Sequence, residues 1–163
     1  WEMHGTLTHM QTGDGIEPTL PAMYERLVFE EDDQGRPQAA DGCKLPTARP
    51  NVKMFDDKNF DEARSDDQKE RYEAWVAGTA PGAKLVVVEV GAGTKVDTIR
   101  GHCERLVDDW NGPATLVRIN LDESDVSKFL LKHRRKHVSA IAVGKKALEA
   151  LRLIDAKIKA LAV

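Results

Sequence analysis

Lys84-Leu-Val-Val-Val-Glu-Val-Gly-Ala-Gly-Thr94 decides the fold. An apolar, β-branched run ends in two glycines and a threonine, and a helical pattern follows at once. Its length and composition predict a strand buried on both faces, as in parallel sheets. At the carboxyl end of such a strand, just before a helix, open α/β sheets bind nucleotides. Gly91 and Gly93 let backbone approach a ligand where a Cβ would collide. A tight strand-to-helix turn also uses glycine for geometry alone, and both readings stand.

Outward from this segment the pattern is regular. Ser65 with Gln68 has the spacing of a capping box ahead of Tyr72, Trp75 and Val76, which predicts a helix ended by Gly78 and Pro81-Gly82. Leu85–Val90 is the first strand. A helix follows with Val96, Ile99, Cys103, Leu106, Val107 and Trp110 on one side, and Asn111-Gly112-Pro113 stops it. Thr115–Leu121 and Val138–Val143 read as further strands, and Ala147, Leu148, Leu151, Ile154, Ile158 and Leu161 as the apolar stripe of a last helix. Strands alternating with helices predict parallel pairing and an α/β fold. Three such strands make half of a doubly wound sheet, with an inner apolar edge that proteins normally cover.

Composition sets the remaining bounds. A chain of 163 residues makes one domain with a workable core. The net charge of −3 implies no overall field for nucleic acid. No apolar run approaches the roughly 20 residues of a membrane span. Cys43 and Cys103 are too few for a disulfide framework, and nothing points to an oxidising compartment. The expectation is an intracellular protein, with cytosol or organelle left open.

Four segments stand in order along the chain: Met3-His4-Gly5-Thr6-Leu7-Thr8-His9-Met10-Gln11, then Leu45-Pro-Thr-Ala-Arg49-Pro50-Asn51-Val52-Lys53-Met54-Phe55-Asp56, then the glycine turn continuing to Thr98-Ile99-Arg100, then Leu116-Val-Arg-Ile-Asn120. Their order and spacing resemble the later half of the sirtuins, the NAD-dependent protein deacylases. The likeness is strongest to the bacterial and protist branch, which reads approximately HGxxxxxQC, ARPNxxMFGD, VVxEVGAGTxxPTxR and LxRIN.

The resemblance implies a partial Rossmann-like, sirtuin-type parallel sheet, with NAD as cofactor and protein-lysine deacylation or ADP-ribosyl transfer as the activity. His4 matches the catalytic histidine, a general base on a ribose hydroxyl, a role suited by an imidazole pKa near working pH. Gly91, Gly93 and Thr94 match the turn that meets the ribose and phosphates of NAD, and Asn120 the asparagine that bonds the adenosine ribose. Val52, Met54 and Phe55 match the loop lining the acyl-lysine tunnel. Asp56, followed by Asp57, stands where the family usually has glycine, which sets a carboxylate beside that tunnel. Each residue also has an ordinary reading: a turn histidine bonding backbone, threonine as helix N-cap, asparagine as strand-end cap. Arg49 and Arg100 read as loop ties, through paired hydrogen bonds to carboxylates.

By the same resemblance the chain divides into 1–11 with the histidine motif, 12–48 as a degenerate form of the inserted zinc module, and 49–163 as the later half of the NAD-binding domain. The family's four zinc cysteines are not kept: Thr12 takes the first position and only Cys43 remains near the second pair. Even with His9, two ligands do not close a structural zinc site, so no metal is expected. The family's earlier half carries a GAGxS-type loop and an Asn-Ile-Asp segment, and neither precedes His4. Trp1 rather than methionine stands first, which predicts that an upstream part was removed or belongs to another chain. So close to a chain end, His4 is expected to need such a partner to hold it.

Lys128-Phe-Leu-Leu-Lys-His-Arg-Arg-Lys-His137 has no counterpart in the family. A basic run of this kind fits RNA, anionic lipid or an acidic neighbour, and equally a solvated surface. Two functions follow: an NAD-dependent deacylase or related transferase, or a catalytically degenerate sirtuin-like structural subunit of a larger assembly.

Overall fold

The computed structural model describes residues 1–12, 20–21, 29–31, 33–34, 37–39, 48–132 and 137–161. They belong to two compact units, Trp1–Gly78 and Thr79–Val163.

In the first unit, β1 (Gly5–Thr12) pairs antiparallel with β2 (Leu20–Pro21) and with β5 (Ala48–Val52), while β3 (Phe29–Glu31) pairs with β4 (Pro37–Ala39). The β1–β5 ladder runs from Gly5 opposite Val52 to Thr12 opposite Ala48, so the two ends of the 12–48 stretch meet. Between Thr6 and Met10 the register slips, because neighbouring Asn51 and Pro50 oppose residues four apart on β1. The extra residues bulge outward and leave Leu7 exposed.

Asn51 anchors this unit from a fully buried position. Its Nδ2 donates to Gln11 Oε1 at 2.8 Å and to the Asp61 carbonyl at 2.9 Å. Gln11, also buried, donates to the Asn59 carbonyl and accepts from the Asp61 amide. Both amide side chains thus fasten the strand pair to the segment entering α1 (Ala63–Gly78).

That helix begins ahead of the predicted box. Asp61 Oδ1 accepts the Ala63 amide at 3.1 Å. Ser65 and Gln68 instead bind the first two residues: Trp1 Nε1 donates to Ser65 Oγ, Ser65 Oγ to the Glu2 carbonyl, and the Glu2 amide to Gln68 Oε1 at 2.7 Å. Arg64 pairs with the Glu2 carboxylate, and the Trp1 ring lies 5.8 Å from Tyr72. The expectation that residues before His4 fray without a partner is therefore corrected. They are tied down by α1.

The second unit is mixed α/β. Its strands β6 (Leu85–Val90), β7 (Ala114–Ile119) and β8 (Val138–Val143) form a parallel sheet in that order. Helix α2 (Thr98–Asp109) links the first two strands and α3 (Ser127–Lys132) lies between the last two, with α4 (Ala147–Leu161) following. Successive right-handed crossovers in one direction put their helices on one side of a sheet. On that side Leu116, Ala114 and Val107 are buried, with Phe129 of α3 nearby in the core. This topology is compatible with part of a Rossmann-like fold.

The prediction that β6 is covered on both faces fails for a physical reason: nothing among the described residues of this unit closes the second side. Val88, Val117 and Ile141 are in register across the sheet, and Val86, Val88 and Ile141 are 62, 50 and 52 % exposed. The stripe of α4 is also largely open, with Ala150 buried but Leu148, Ile158 and Leu161 exposed. Val96 precedes α2, and both it and Ile99 are exposed rather than packed. No helix among the described residues is long and apolar enough to cross a membrane.

Candidate functional site

The sequence-predicted residues fall into two sets, one in each unit. In the first unit His4 sits in the turn that enters β1, its side chain exposed and its carbonyl accepting the Lys53 amide at 3.0 Å. Since Gly5 is opposite Val52, this bond carries the β1–β5 pairing one step further. His4 and the Val52–Phe55 segment are thereby brought together at one end of the strand pair.

Beyond Val52 the chain forms an exposed loop braced by one arginine. Arg49 forks onto Asp57, with Nη2 at 3.0 Å from Oδ1 and 2.8 Å from Oδ2, while Nη1 donates to the Val52 carbonyl. Asp57 also accepts the amides of Met54 and Asn59. Desolvation pushes the Asp57 carboxyl up, but these amides and the guanidinium outweigh it and hold it below the usual range. Met54 and Phe55 stand at the tip, 63 and 86 % exposed. Among the described residues of this unit they close no apolar tunnel. Asp56 has φ of +59°, a left-handed conformation that glycine and aspartate tolerate best, so the turn suits either residue and the aspartate sets a charge there.

In the second unit the glycine turn and Asn120 converge at the carboxyl edge of the sheet. Gly91 has φ of +73°, and its amide donates to the Ile119 carbonyl at 2.9 Å. A Cβ there would meet nothing within 4 Å, so the space above the turn is open. Asn120 Nδ2 donates to the Ala92 carbonyl at 3.1 Å, and its Oδ1 accepts the amides of Asp122 and Glu123. One Nδ2 hydrogen is enough for Ala92, which leaves the second for a ligand.

Arg100 ties the same loops through carbonyls rather than the carboxylates expected from sequence. Its Nη1 donates to Ala92 and Glu123, and its Nη2 to Asp125. Thr94 is not the cap of α2, a position held by Asp97. Its amide and hydroxyl instead donate to the Glu123 carboxylate, at 3.0 Å to Oε2 and 2.5 Å to Oε1. Those two bonds hold Glu123 below the usual carboxylate range. Beside them opens a cleft of about 370 Å³, lined by Thr94, Arg100, Glu104, Arg118, Glu123 and Lys128 among others.

Sequence reading missed Glu123, whose contact spans 29 residues and carries no local signature. It also missed the ion triad beneath the turn. Arg118 on β7 bonds Glu89 on β6 at 2.6 and 3.0 Å and Glu104 on α2 at 2.8 Å. A signal existed: one acid and one base, each alone in an apolar strand, fall opposite each other in parallel register. Cys103 lies alongside, its thiol pushed up to about 11 by burial and then by the Glu89 charge, so it is no thiolate nucleophile at neutral pH.

Cys43 and most of the 12–48 stretch fall outside the described residues, as do 133–136 of the basic run. Among the described residues no cluster of His, Cys, Asp and Glu could hold a metal ion. No protein-family model matches this chain, and no curated protein matches it.

Proposed function

We propose that this chain is a sirtuin-like protein, with a sirtuin-type Rossmann-like sheet, that acts in NAD-dependent deacylation of protein lysines or in related ADP-ribosyl transfer. The observation that carries the reading is the meeting of Gly91–Thr94 with Asn120, joined by the 3.1 Å bond from Asn120 to Ala92, at the carboxyl edge of a parallel sheet. This is where such sheets bind nucleotides. The left-handed Gly91 with open space above it and the second Asn120 amide hydrogen fit the ribose and phosphate of such a cofactor.

In this reading Gly91, Gly93, Thr94 and Asn120 hold NAD, which when bound supplies the ribose that receives the acyl group. His4, with its side chain exposed, would be the general base for a ribose hydroxyl of that cofactor. The Met54–Phe55 loop, kept rigid by Arg49, lays apolar surface along the acyl-lysine stem. The free edge of β6 in the order β6-β7-β8 is extended by further strands, and the exposed valine face is covered by a packed layer, from another part of the protein or from a partner. The basic run at 128–137, of which 133–136 lie outside the described residues, would suit an acidic protein neighbour or RNA by its charge.

A second reading is a degenerate sirtuin-like subunit kept for architecture. Two observations favour it: the Glu123 carboxylate holds the Thr94 donors, and the sheet face at Val86, Val88 and Ile141 is open to a neighbour.

Calorimetric titration of NAD into the protein, alone and with any copurifying subunit, separates the two. The enzyme reading expects saturable binding that His4→Ala leaves intact while lysine deacylation falls at least about a hundredfold. Absence of binding in both preparations, from a chain stable only in its complex, leaves the architectural reading.

A further inference from the structure

The donors of the glycine turn are already engaged by an anion of the chain's own. Glu123 places one carboxylate oxygen on the Thr94 amide and the other on the Thr94 hydroxyl, at 3.0 and 2.5 Å. It sits so close to the turn that a Cβ on Gly93 would come within 3.0 Å of Oε2. A carboxylate so placed stands in for two oxygens of a phosphate, satisfying the same donors with the same charge.

The backbone and the side chain of Glu123 are held by different partners. Its amide donates to Asn120 Oδ1 at 3.0 Å and its carbonyl accepts from Arg100 at 2.8 Å. The side chain is half-buried, and its described hydrogen bonds go to Thr94 alone. Rotation about the side-chain bonds therefore frees Thr94 without moving the loop. Arg100 and Lys95 act on the Glu123 charge through space. The Arg100 hydrogen bonds, however, go to the carbonyls of Ala92, Glu123 and Asp125, so the carboxylate's own described bonds are those to Thr94.

We propose that Glu123 is an autoinhibitory latch on the nucleotide site: a phosphate-bearing ligand reaches Thr94 only by displacing the Glu123 carboxylate. The inference rests on the reading of the Gly91–Thr94 turn as that site, and it adds how the site is kept shut. The competition is electrostatic, so the latch discriminates against ligand phosphate and is indifferent to an uncharged nucleoside.

The test is calorimetric titration of ADP-ribose, and separately of adenosine, into wild-type protein, Glu123→Gln and Glu123→Ala, each with any copurifying subunit. The latch predicts that ADP-ribose binds about tenfold tighter once the charge is removed, as expected for one like charge lifted from beside a phosphate, while adenosine changes less than about twofold. Glutamine keeps the shape of the side chain, so Glu123→Gln carries the test if the alanine variant is unstable. Unchanged or weaker ADP-ribose binding in the variants overturns the latch and leaves the nucleotide site standing. An equal gain for adenosine overturns it as well, since the effect is then not one of charge. ADP-ribose binding to none of the three proteins overturns the nucleotide reading and the latch with it.

Discussion

Arg118→Met lowers the thermal unfolding midpoint of the second unit by more than about 12 °C, the fall expected when a buried ion pair loses one partner at about 3–5 kcal/mol. Arg118 is 1 % exposed and so is the Glu89 side chain it holds in a fork. Burial works against the guanidinium's charge, but the bonds to Glu89 and Glu104 prevail and raise its pKa. Methionine fills much of the volume and removes the charge, which strands the Glu89 carboxylate in an apolar interior. The arginine also donates to the Asp125 carbonyl at 3.2 Å, so its loss loosens the loop that carries Glu123. Adding Glu89→Leu to Arg118→Met recovers most of the midpoint, because buried ion pairs replaced by apolar residues are often neutral in stability. A shift below about 2 °C for the single variant would mean that the triad is not buried. Circular dichroism at 222 nm against temperature follows α2 and α4 of this unit together with α1 of the first, and the transition that moves in the variant is the second unit's.

Gly5→Ala prevents the first unit from folding at ordinary temperature. The residue has φ of +75°, and an added Cβ would lie 1.9 Å from the Asn51 carbonyl oxygen and 3.0 Å from Phe60. The backbone conformation alone costs about 1–2 kcal/mol for a residue with a side chain. The larger penalty is steric, since Asn51 is fully buried, bonded to Gln11 and Asp61, and cannot retreat without opening the strand pair. Gly82→Ala provides the comparison: its φ is +80°, yet a Cβ there meets nothing within 4 Å. It should show only the backbone cost. Tryptophan emission on denaturant titration reports both variants, through Trp1 and Trp75 in the unit of Gly5 and through Trp110, bonded to the Ala83 carbonyl, in the unit of Gly82. Equal losses from the two variants would show that the crowding at Gly5 is not real.

Much of the second unit was legible in the sequence. The strands at 85–90 and 138–143 and the last helix were foreseen at their observed ends, because β-branched runs bounded by glycine or proline and a long apolar stripe are local signals. What failed was tertiary. The Ser65–Gln68 spacing imitates a capping box, but those side chains bind Trp1 and Glu2, a partnership no local window contains. Helix α3 is six residues within a basic run, too short for periodicity to declare itself. The exposed face of β6 reads from sequence as buried because its valines are apolar whether or not anything covers them. At the candidate site, sequence brought forward Gly91, Gly93, Thr94 and Asn120, and these do meet at one edge of the sheet. It gave no warning that Thr94 is engaged by Glu123.

The central claim is that this edge receives a nucleotide. Amide proton–nitrogen spectra of the wild-type protein, recorded as ADP-ribose is raised to about the millimolar range where even weak binding registers, test it directly. The account predicts progressive shifts centred on Gly91, Gly93, Thr94 and Asn120. Unmoved signals at those four positions, whether or not others respond, would contradict it.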